Sequence, residues 1–338
     1  MIQEATEILV KGKDLTAPQM EAVMEEIMTG KTSTPQIIAF LNNLNTQGET
    51  AEELAAAVGV MRRHTTKIRT KHKVILDTCG TGGDRKHTFN ISTAVAFVVS
   101  AAGVAVAKHG NRSVSSASGS ADVMEALGIN INMSKEGIER CLDEIGIAFL
   151  FAPNFHPAMK YAFAARKAMG VKTIFNFLGP LSNPANATHQ LVGVYDQSWA
   201  HNLAYALGSL GTEHTLVVCG RDNLDEITTA DITDVFEVRR GKVNKNTLNY
   251  ADFDFNKANP GDFTGQDAAC NAKILMDILE KKEIGPKRDI VLLNAGAAIY
   301  TADKAASIKE GIKLAVESID SGRALEKLEL LKEYSHKS

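Results

Sequence analysis

The sequence predicts an α/β protein with a small N-terminal α-helical domain and a larger α/β domain, whose central sheet is flanked by helices. Residues 1 to about 70 carry the signals of helices alone. From Val74 onward, short apolar runs alternate with helix-like segments, which is the pattern of βαβ units and a sheet. The length of 338 residues allows two domains or one large one, with ample chain for a buried core.

The helices predicted for the first 70 residues begin at capping signals. Thr16 with Gln19, and Thr50 with Glu53, have the spacing of capping boxes, which satisfy free backbone N–H groups of the first helical turn. The basic and polar run at residues 62–73 is typical of a connection between domains. We therefore place the small domain at residues 1–70 and the α/β domain at residues 71–338. We expect the small domain to receive a further helical segment from about residues 165–190, and to form the interface of a homodimer.

The α/β domain is predicted to alternate strands and helices from Val74 onward. Short apolar or alternating runs predict strands at residues 74–76, 104–107, 147–151, 191–194, 215–218 and 234–239. Capping residues and terminal glycines predict helices at residues 93–102, 120–127, 134–146, 157–170, 200–208, 266–280 and 307–320, and a small-residue run predicts another at residues 294–299.

Composition excludes several functional classes. The formal net charge of -3, from 37 basic and 40 acidic residues, gives no general electrostatic case for nucleic acid as a partner. The four cysteines contain no CxxC pair, which indicates reduced thiols rather than a zinc site or a disulfide framework. No apolar run approaches the ~20 residues of a transmembrane helix, and no signal peptide opens the chain. We therefore expect a cytoplasmic protein with no membrane partner.

The first chemistry-bearing stretch is Gly-Thr-Gly-Gly-Asp at residues 80–84, called here the first loop, which follows the strand predicted at residues 74–76. Glycines after a strand often do no more than form a turn. Asn90, Ser92 and Thr93 follow, however, and place three polar groups at the start of a predicted helix. That arrangement favours a helix N-terminus that faces phosphate. The stretch matches neither a Walker loop nor a dinucleotide-binding turn.

The second stretch, residues 108–116, is called here the second loop and follows the strand predicted at residues 104–107. It combines Lys108, His109, Asn111 and Arg112 with several serines, and Ser118 and Ser120 follow it. A solvated surface loop rarely holds so many anion-binding groups between an apolar strand and a helix. Because loops at the carboxyl ends of parallel strands share one crevice, the two loops together predict a ligand with several phosphates.

Two further features are candidates for the same crevice. Asp225 and Glu226 follow the strand predicted at residues 215–218, and such pairs usually lie in a solvated loop. A diphosphate ligand normally requires Mg²⁺, however, and these carboxylates with the Ser92 hydroxyl are suitable ligands. The helix predicted at residues 157–170 carries Arg166, whose planar guanidinium suits a carboxylate substrate. An exposed basic face is the alternative for that helix.

The combined motifs resemble those of anthranilate phosphoribosyltransferases, enzymes of tryptophan biosynthesis. The resemblance rests on GTGGD, NIST, KHGNRSVSSASGSADVMEALG, RKAMGVKTIFNFLGPLSNPA and NLDEIT, and extends over essentially the whole chain. It implies a small helical domain beside an α/β domain, a homodimer, and Mg²⁺ as cofactor. The implied reaction transfers phosphoribosyl from 5-phosphoribosyl 1-diphosphate (PRPP) to anthranilate, and association with an anthranilate synthase subunit is left open.

The resemblance also implies roles for individual residues. Those that match donor-binding positions are Gly80, Gly83, Asp84, Thr88, Asn90, Ile91, Ser92, Thr93, Lys108, His109, Gly110, Asn111, Arg112, Ser113, Val114, Ser115, Ser116 and Ser120. Those that match metal-binding positions are Ser92, Asp225 and Glu226, and those that match anthranilate contacts are Gly80, Asn111 and Arg166. The chain departs from the family at residues 85–87, where Arg-Lys-His replaces smaller, uncharged residues.

The residue types predict direct displacement at the anomeric carbon of the ribose. The sequence offers no Ser-His or Cys-His arrangement for a covalent intermediate, so positioning and charge stabilisation would carry catalysis. Lys108 is expected to neutralise the leaving diphosphate, and His109 is the candidate acceptor for the amine proton.

Two other functions are alternatives. A pyrimidine nucleoside phosphorylase would share the two-domain fold but would not need Mg²⁺, and its Gly-Gly-Thr-Leu-Asp run is not found between Ser115 and Leu127. A non-catalytic nucleic-acid-binding relative would need a strongly basic surface and a degraded donor site, and neither agrees with the net charge or with the intact loops.

Overall fold

The chain begins with four helices in the computed structural model, which describes residues 1–113 and 118–337. These helices are α1 (Ile2–Val10), α2 (Ala17–Met28), α3 (Thr34–Gln47) and α4 (Ala51–Arg63). Both predicted capping boxes are present: Gln19 Oε1 accepts a hydrogen bond from Thr16 N at 2.9 Å, and Thr50 Oγ1 accepts one from Glu53 N at 3.1 Å. The all-helical prediction for this segment is therefore confirmed.

The remaining chain forms one sheet in its described part, with the strand order β3-β2-β1-β4-β5-β6-β7. Strands β1 to β5 run parallel, whereas β6 pairs antiparallel with both β5 and β7. The strands are β1 (Ile75–Gly80), β2 (Ala105–Gly110), β3 (Ile147–Phe151), β4 (His189–Gly193), β5 (His214–Gly220), β6 (Thr233–Arg239) and β7 (Lys242–Leu248). Because β1 to β5 are parallel, their carboxyl ends and the loops that follow lie at one edge of the sheet.

Helices connect and cover these strands. They are α5 (Ile91–Ala101), α6 (Ser120–Ala126), α7 (Lys135–Ile145), α8 (Ala152–Phe155), α9 (Lys160–Met169), α10 (Phe175–Leu181), α11 (Gln197–Ser209), α12 (Ala268–Leu279), α13 (Pro286–Thr301), α14 (Ile308–Asp320) and α15 (Arg323–Ser335). The predicted fold class, a helical domain followed by a sheet flanked by helices, is confirmed.

Two apolar clusters lie on the two sides of the sheet. One contains α5, α13 and α15 with residues of β1 to β3. The other contains α1 to α4 together with α9, α10 and α11, and reaches the sheet through Val192, Val217 and Phe236. Helix α9 packs on α2 and α3, and α10 packs on α4. The segment that ends with α10 therefore lies against the N-terminal helices.

Sequence patterns missed or misplaced several elements. The short α8 was not predicted, and α13 begins at Pro286 rather than at the predicted residue 294. Strand β7 has the sequence KVNKNTL and is mostly exposed at the edge of the sheet, so it lacks the apolar residues that mark a strand. Helix α15 was not predicted. The helix expected from Pro157 begins instead with a 3₁₀ turn (Pro157–Met159), and α9 continues from Lys160. Across residues 1–113 and 118–337, no helix combines the length and apolarity that a membrane span requires.

Glu49, between α3 and α4, is a buried carboxylate whose burial raises its pKa from 4.5 to about 7. It is only 4% exposed, and neither carboxylate oxygen has a hydrogen-bond partner in the described part of the chain. A raised folded-state pKa contributes stability that is present below pH 4.5 and is lost as the pH rises to about 7. Above pH 7, the folded protein therefore contains an unpaired buried charge.

Glu49→Gln should therefore raise the free energy of unfolding by about 2 kcal/mol at pH 8 and change it little at pH 5. Gln keeps the size of the side chain and removes the charge. Urea unfolding at the two pH values measures this, with the exposed Glu52→Gln in the first turn of α4 as the matched control. An equal effect of Glu49→Gln at both pH values would show that ionisation of Glu49 does not matter.

Candidate active site

The first loop leaves the carboxyl end of β1 and lies against two other segments. Thr81 N donates to the Gly193 carbonyl at 2.9 Å, and Gly82 N donates to Asp225 Oδ2 at 2.8 Å. Gly82 and Gly83 have φ values of 64° and 81°, a left-handed conformation that favours glycine. The two glycines therefore allow the loop to turn back over Asp225.

Gly80 and Gly193 allow the close approach of Asp225. A Cβ on Gly80 would lie 2.5 Å from Asp225 Oδ2, and a Cβ on Gly193 would overlap the Asp225 carbonyl. The two glycines pair with each other at the ends of β1 and β4. Gly80 was a predicted site residue and Gly193 was not. The only sequence signal for Gly193 is its place at the end of an apolar strand, which most strand-terminal glycines share.

The predicted metal-binding residues converge at this edge of the sheet. Glu226 accepts a hydrogen bond from Ser92 N and is buried, and the Asp84 carboxyl faces Asp225. Burial and the neighbouring Asp84 charge raise the pKa of Asp225 to about 7, and burial with the Asp225 charge raises the pKa of Glu226 well above its usual range. Asp84 Oδ2 is buried and has no hydrogen-bond partner among the described residues.

These carboxylates suit a cation. Asp84 lies beside Asp225, and Asp225 beside Glu226, with Lys108 and Lys172 as the neighbouring cations. One Asp84 oxygen still lacks a partner among the described residues, and a divalent cation would stabilise such a group. Within residues 1–113 and 118–337, no group of three or more His, Cys, Asp or Glu side chains has the arrangement of a complete metal site. Mg²⁺ in phosphate sites typically uses one or two carboxylates together with substrate oxygens and water.

Lys108 lies beneath these carboxylates and is 1% exposed. Its Nζ donates to the Thr78 carbonyl at 2.6 Å and to Ser92 Oγ at 3.2 Å. Burial lowers the pKa of Lys108, whereas the charges of Asp77, Cys79 and Glu226 oppose that shift. The ammonium therefore links β1, β2 and the start of α5 at the centre of the site.

His109 follows Lys108 in β2 and forms a buried pair with His156. The two Nε2 atoms are 3.2 Å apart, and His156 Nδ1 lies 3.1 Å from the Thr65 hydroxyl. Burial, followed by the nearby positive charges, lowers the pKa of His109 to about 3, and burial lowers that of His156 to about 4. Both rings are therefore neutral at pH 7. His156 connects the candidate site to the segment that follows α4.

The second loop is described only in part, because the predicted donor residues Val114, Ser115 and Ser116 lie outside the described residues. Gly110 ends β2, and the Asn111 carbonyl accepts from Ala121 N at 3.1 Å and from Ser120 Oγ at 3.4 Å. Ser113 N lies 3.3 Å from Asp122 Oδ2. The loop is thus held against the first turn of α6.

Arg112 is engaged within the protein. Its Nη1 forms ion pairs with Asp122 Oδ1 at 2.8 Å and with Glu125 Oε2 at 2.6 Å. It can contact donor phosphate only by leaving or sharing these two carboxylates. Its role as a donor ligand stays a prediction.

The predicted residues around the start of α5 divide into two groups. Asn90 contacts the segment between the second loop and α6, since its Nδ2 donates to the Ser118 carbonyl at 3.3 Å, and Asn271 Nδ2 donates to Asn90 Oδ1 at 2.9 Å. Ile91 and Thr93 are buried, and their N–H groups already bond to the Phe89 and Asn90 carbonyls. Thr88 pairs with Thr264 in an isolated bridge. A donor contact through the N–H groups of Ile91 and Thr93 would have to replace those bonds, whereas the buried Thr93 hydroxyl has no partner among the described residues.

Arg166 lies in the last turn of α9, with its guanidinium 5.7 Å from the centre of the Phe175 ring. Burial lowers its pKa. No carboxylate partner of Arg166 is found in the described part of the chain. A half-buried arginine of this kind suits a carboxylate ligand.

Several residues of the site escaped sequence analysis. Lys172 Nζ donates to the Gly83 carbonyl at 2.8 Å and lies 3.3 Å from the centre of the Tyr195 ring. Asn183 and Asn271 bind the ends of other segments with their amide groups. These residues come from segments distant in sequence, and only the tertiary fold brings them to the loops.

Both parts of the chain match one protein family. Residues 3–65 match the helical bundle domain of the glycosyl transferase family, and residues 72–325 match the a/b domain of that family. A protein from Alkaliphilus metalliredigens (strain QYMF), named anthranilate phosphoribosyltransferase, is 49% identical over 331 residues, which cover 98% of this chain and 97% of that protein.

Solved structures show the same relation. The crystal structure of anthranilate phosphoribosyltransferase from Thermus thermophilus has a TM-score of 0.92 at 38% identity, covering 98% of this chain and 99% of that one. Anthranilate phosphoribosyltransferase from Saccharomyces cerevisiae, in complex with PRPP and Mg, has a TM-score of 0.92 at 27% identity, covering 100% of this chain and 98% of that one. The resemblance and fold expected from the sequence are confirmed, and the chain belongs to the anthranilate phosphoribosyltransferase family of enzymes.

Proposed function

We propose that the protein transfers the phosphoribosyl group of PRPP to the amine of anthranilate, giving N-(5-phosphoribosyl)anthranilate and diphosphate in a Mg²⁺-dependent reaction. The observation that carries this proposal is the convergence of Ser92, Asp225 and Glu226 beneath the first loop. Their oxygens suit Mg²⁺ bound to a diphosphate. The yeast relative in complex with PRPP and Mg supports the same donor and cation.

The two loops would bind the donor, and the cation would lie between them and the carboxylates. When bound, Mg²⁺ neutralises the charge that develops on the leaving diphosphate. Backbone N–H groups of the first loop, and the side chains of Asn90 and Asn111, would hold the phosphates. Lys108 would add positive charge beneath them, held in place by Thr78 and Ser92.

The acceptor amine would attack the anomeric carbon directly, through a transition state with oxocarbenium character. The C–N bond forms while the bond to diphosphate breaks, and the amine then loses a proton. His109 is neutral at pH 7 because burial lowers its pKa to about 3, and this also makes it a weak base. It would accept the proton only because the amine becomes strongly acidic as the C–N bond forms. Gly80, Asn111 and Arg166 would contact anthranilate.

The proposed assembly is a homodimer that contacts through the small helical domain. Large apolar side chains remain exposed beside that domain in the single chain, including Phe163 at 65% and Val171 at 58% exposure. Exposed apolar side chains of this size are typical of a surface that a second protein chain covers. Analytical ultracentrifugation tests the dimer, and the reaction would take place in the cytoplasm.

The test of the function is a fluorescence assay in which anthranilate is mixed with PRPP, with Mg²⁺ or with EDTA. The expected result is a Mg²⁺-dependent loss of anthranilate fluorescence that EDTA abolishes. Phosphorolysis of uridine or thymidine, without activity on anthranilate, would instead identify a nucleoside phosphorylase. Salt-sensitive binding of single-stranded DNA, with no turnover, would identify a nucleic-acid-binding relative.

Arg166→Ala should raise KM for anthranilate by about tenfold or more, because a charge-assisted hydrogen bond to the carboxylate is lost. KM for PRPP should change much less. Steady-state kinetics with each substrate varied in turn measures both values, and Lys167→Ala, an exposed neighbour on α9, is the control. A rise in KM for PRPP alone would make Arg166 a phosphate ligand.

A further inference from the structure

The parallel ladder between β1 and β2 ends before the strands do. In the described chain, their pairing covers Ile75 with Ala105 and Leu76 with Val106. The pairing of β1 with β4 continues to Gly80 and Gly193, and the pairing of β2 with β3 continues to Gly110 and Phe151. The sheet therefore separates between β1 and β2 at the edge that carries both loops.

Side chains replace the ladder at this separation. Asp77 Oδ1 accepts from His109 N at 3.1 Å, and Lys108 Nζ donates to the Thr78 carbonyl at 2.6 Å. Asn183 Nδ2 donates to the Ala107 carbonyl at 2.8 Å. Backbone groups that would otherwise be buried without partners are thus satisfied by three side chains.

Asp77 and Asn183 form a single unit, called here the Asp77–Asn183 clamp. Asn183 Nδ2 donates to Asp77 Oδ2 at 2.7 Å, and Asn183 Oδ1 accepts from Ala185 N at 2.9 Å. Asp77 is 0% exposed and Asn183 is 4% exposed. The clamp is therefore shielded from solvent, and its hydrogen bonds hold the two strand ends in place.

The clamp bonds the backbone on both sides of Lys108, at the Ala107 carbonyl and at His109 N. Asp77 supplies a negative charge beside Lys108, and Lys108 in turn contacts Ser92. The carboxylate of Asp77 and the amide of Asn183 therefore hold the backbone of Lys108 and His109 in place, and with it the start of the Lys108 side chain. Neither clamp residue belongs to the loops that would bind substrate.

We propose that Asp77 and Asn183 are positioning residues for the transfer reaction, acting through Lys108. They hold β1 and β2 apart where the ladder ends, so that the ammonium of Lys108 lies under the donor site. This inference rests on the proposed function. A positional error of about 1 Å at such a group can cost about 100-fold in rate.

The test is a double-mutant cycle between Asn183→Ala and Lys108→Met, measured as kcat and as kcat/KM for PRPP. Asn183→Ala should lower kcat about tenfold or more in the wild-type background. In the Lys108→Met background it should lower kcat less than about twofold, because the group that it positions is gone. A purely structural residue would lower activity equally in both backgrounds.

Asn130→Ala is the matched control. Asn130 Nδ2 donates to the Ser335 carbonyl, and Asn130 Oδ1 accepts from Asn132 N, so a similar set of hydrogen bonds is lost far from the site. It should leave kcat within about twofold in both backgrounds. If Asn183→Ala does not fold, as judged by thermal unfolding, Asp77→Asn takes its place, since it keeps the shape but presents an amide to the Asn183 amide.

Equal losses in the two backgrounds, or a kcat within twofold of wild type for the clamp variant, would overturn the inference. A wild-type protein without transferase activity would instead contradict the proposed function. In that case, the same cycle is measured on the calorimetric affinity for Mg²⁺-PRPP. The clamp inference then requires that Asn183→Ala weaken the binding of Mg²⁺-PRPP in the wild-type background and change it much less in the Lys108→Met background.

Discussion

Replacing Asp225 and Glu226 together, as D225N/E226Q, should lower kcat by about 100-fold or more and flatten the dependence of the rate on Mg²⁺. The two carboxylates are buried beside Asp84, and burial raises the pKa of Asp225 to about 7 and that of Glu226 well above its usual range. A bound cation stabilises buried carboxylates that lie this close to one another. Asn and Gln keep the size of the side chains and remove the charge that binds it.

The measurement is the rate of anthranilate consumption as Mg²⁺ is titrated, for the variant and for wild type. The control is D277N/E280Q near the end of α12, whose carboxylates pair with Lys273 and Lys282 at the surface. That control should leave the Mg²⁺ profile unchanged. An unchanged profile in D225N/E226Q would remove both residues from the proposed metal site.

Lys108→Met should lower kcat by about 100-fold and also lower the melting temperature. Methionine has a similar length but no charge, so Ser92 Oγ loses a donor, and Asp77 and Glu226 lose a buried neighbouring cation. Removing one partner of a buried charge cluster typically costs about 3–5 kcal/mol. The rate falls further because the leaving diphosphate loses a positive charge beneath it.

Thermal unfolding and steady-state kinetics on the same samples separate these effects. Lys327→Met is the control, because Lys327 is a half-buried lysine on α15 that donates to the Ile145 carbonyl away from the loops. It should affect stability alone. If Lys108→Met has a lower melting temperature than wild type but the same kcat, the lysine has a structural role only.

The sequence was sufficient to predict that the candidate site residues on three strand ends meet at one edge of the sheet. The first and second loops follow apolar strands, and parallel strands bring their carboxyl ends together, so Gly80, Lys108 and Asp225 were expected at one edge. The capping boxes at Thr16 and Thr50 were also predictable, because each depends on two residues only three positions apart in the sequence. Signals between residues that are close in the sequence can be recognised without knowledge of the fold.

Contacts between distant segments were not predictable from these patterns. Gly193 is required because the Asp225 backbone approaches β4, and nothing near Gly193 in the sequence indicates that approach. Arg112 was expected to face phosphate, whereas its guanidinium pairs with Asp122 and Glu125 on α6. Asn183 joins β1 to β2 across more than 70 residues, so its role follows only from the fold.

The most direct test of the proposed reaction is its stoichiometry. The purified chain is mixed with anthranilate, PRPP and Mg²⁺, and the loss of anthranilate is followed together with the release of diphosphate. One diphosphate released for each anthranilate consumed, with neither change in EDTA, is the expected result. Diphosphate release without loss of anthranilate, or consumption of anthranilate at full rate in EDTA, would contradict the Mg²⁺-dependent transfer.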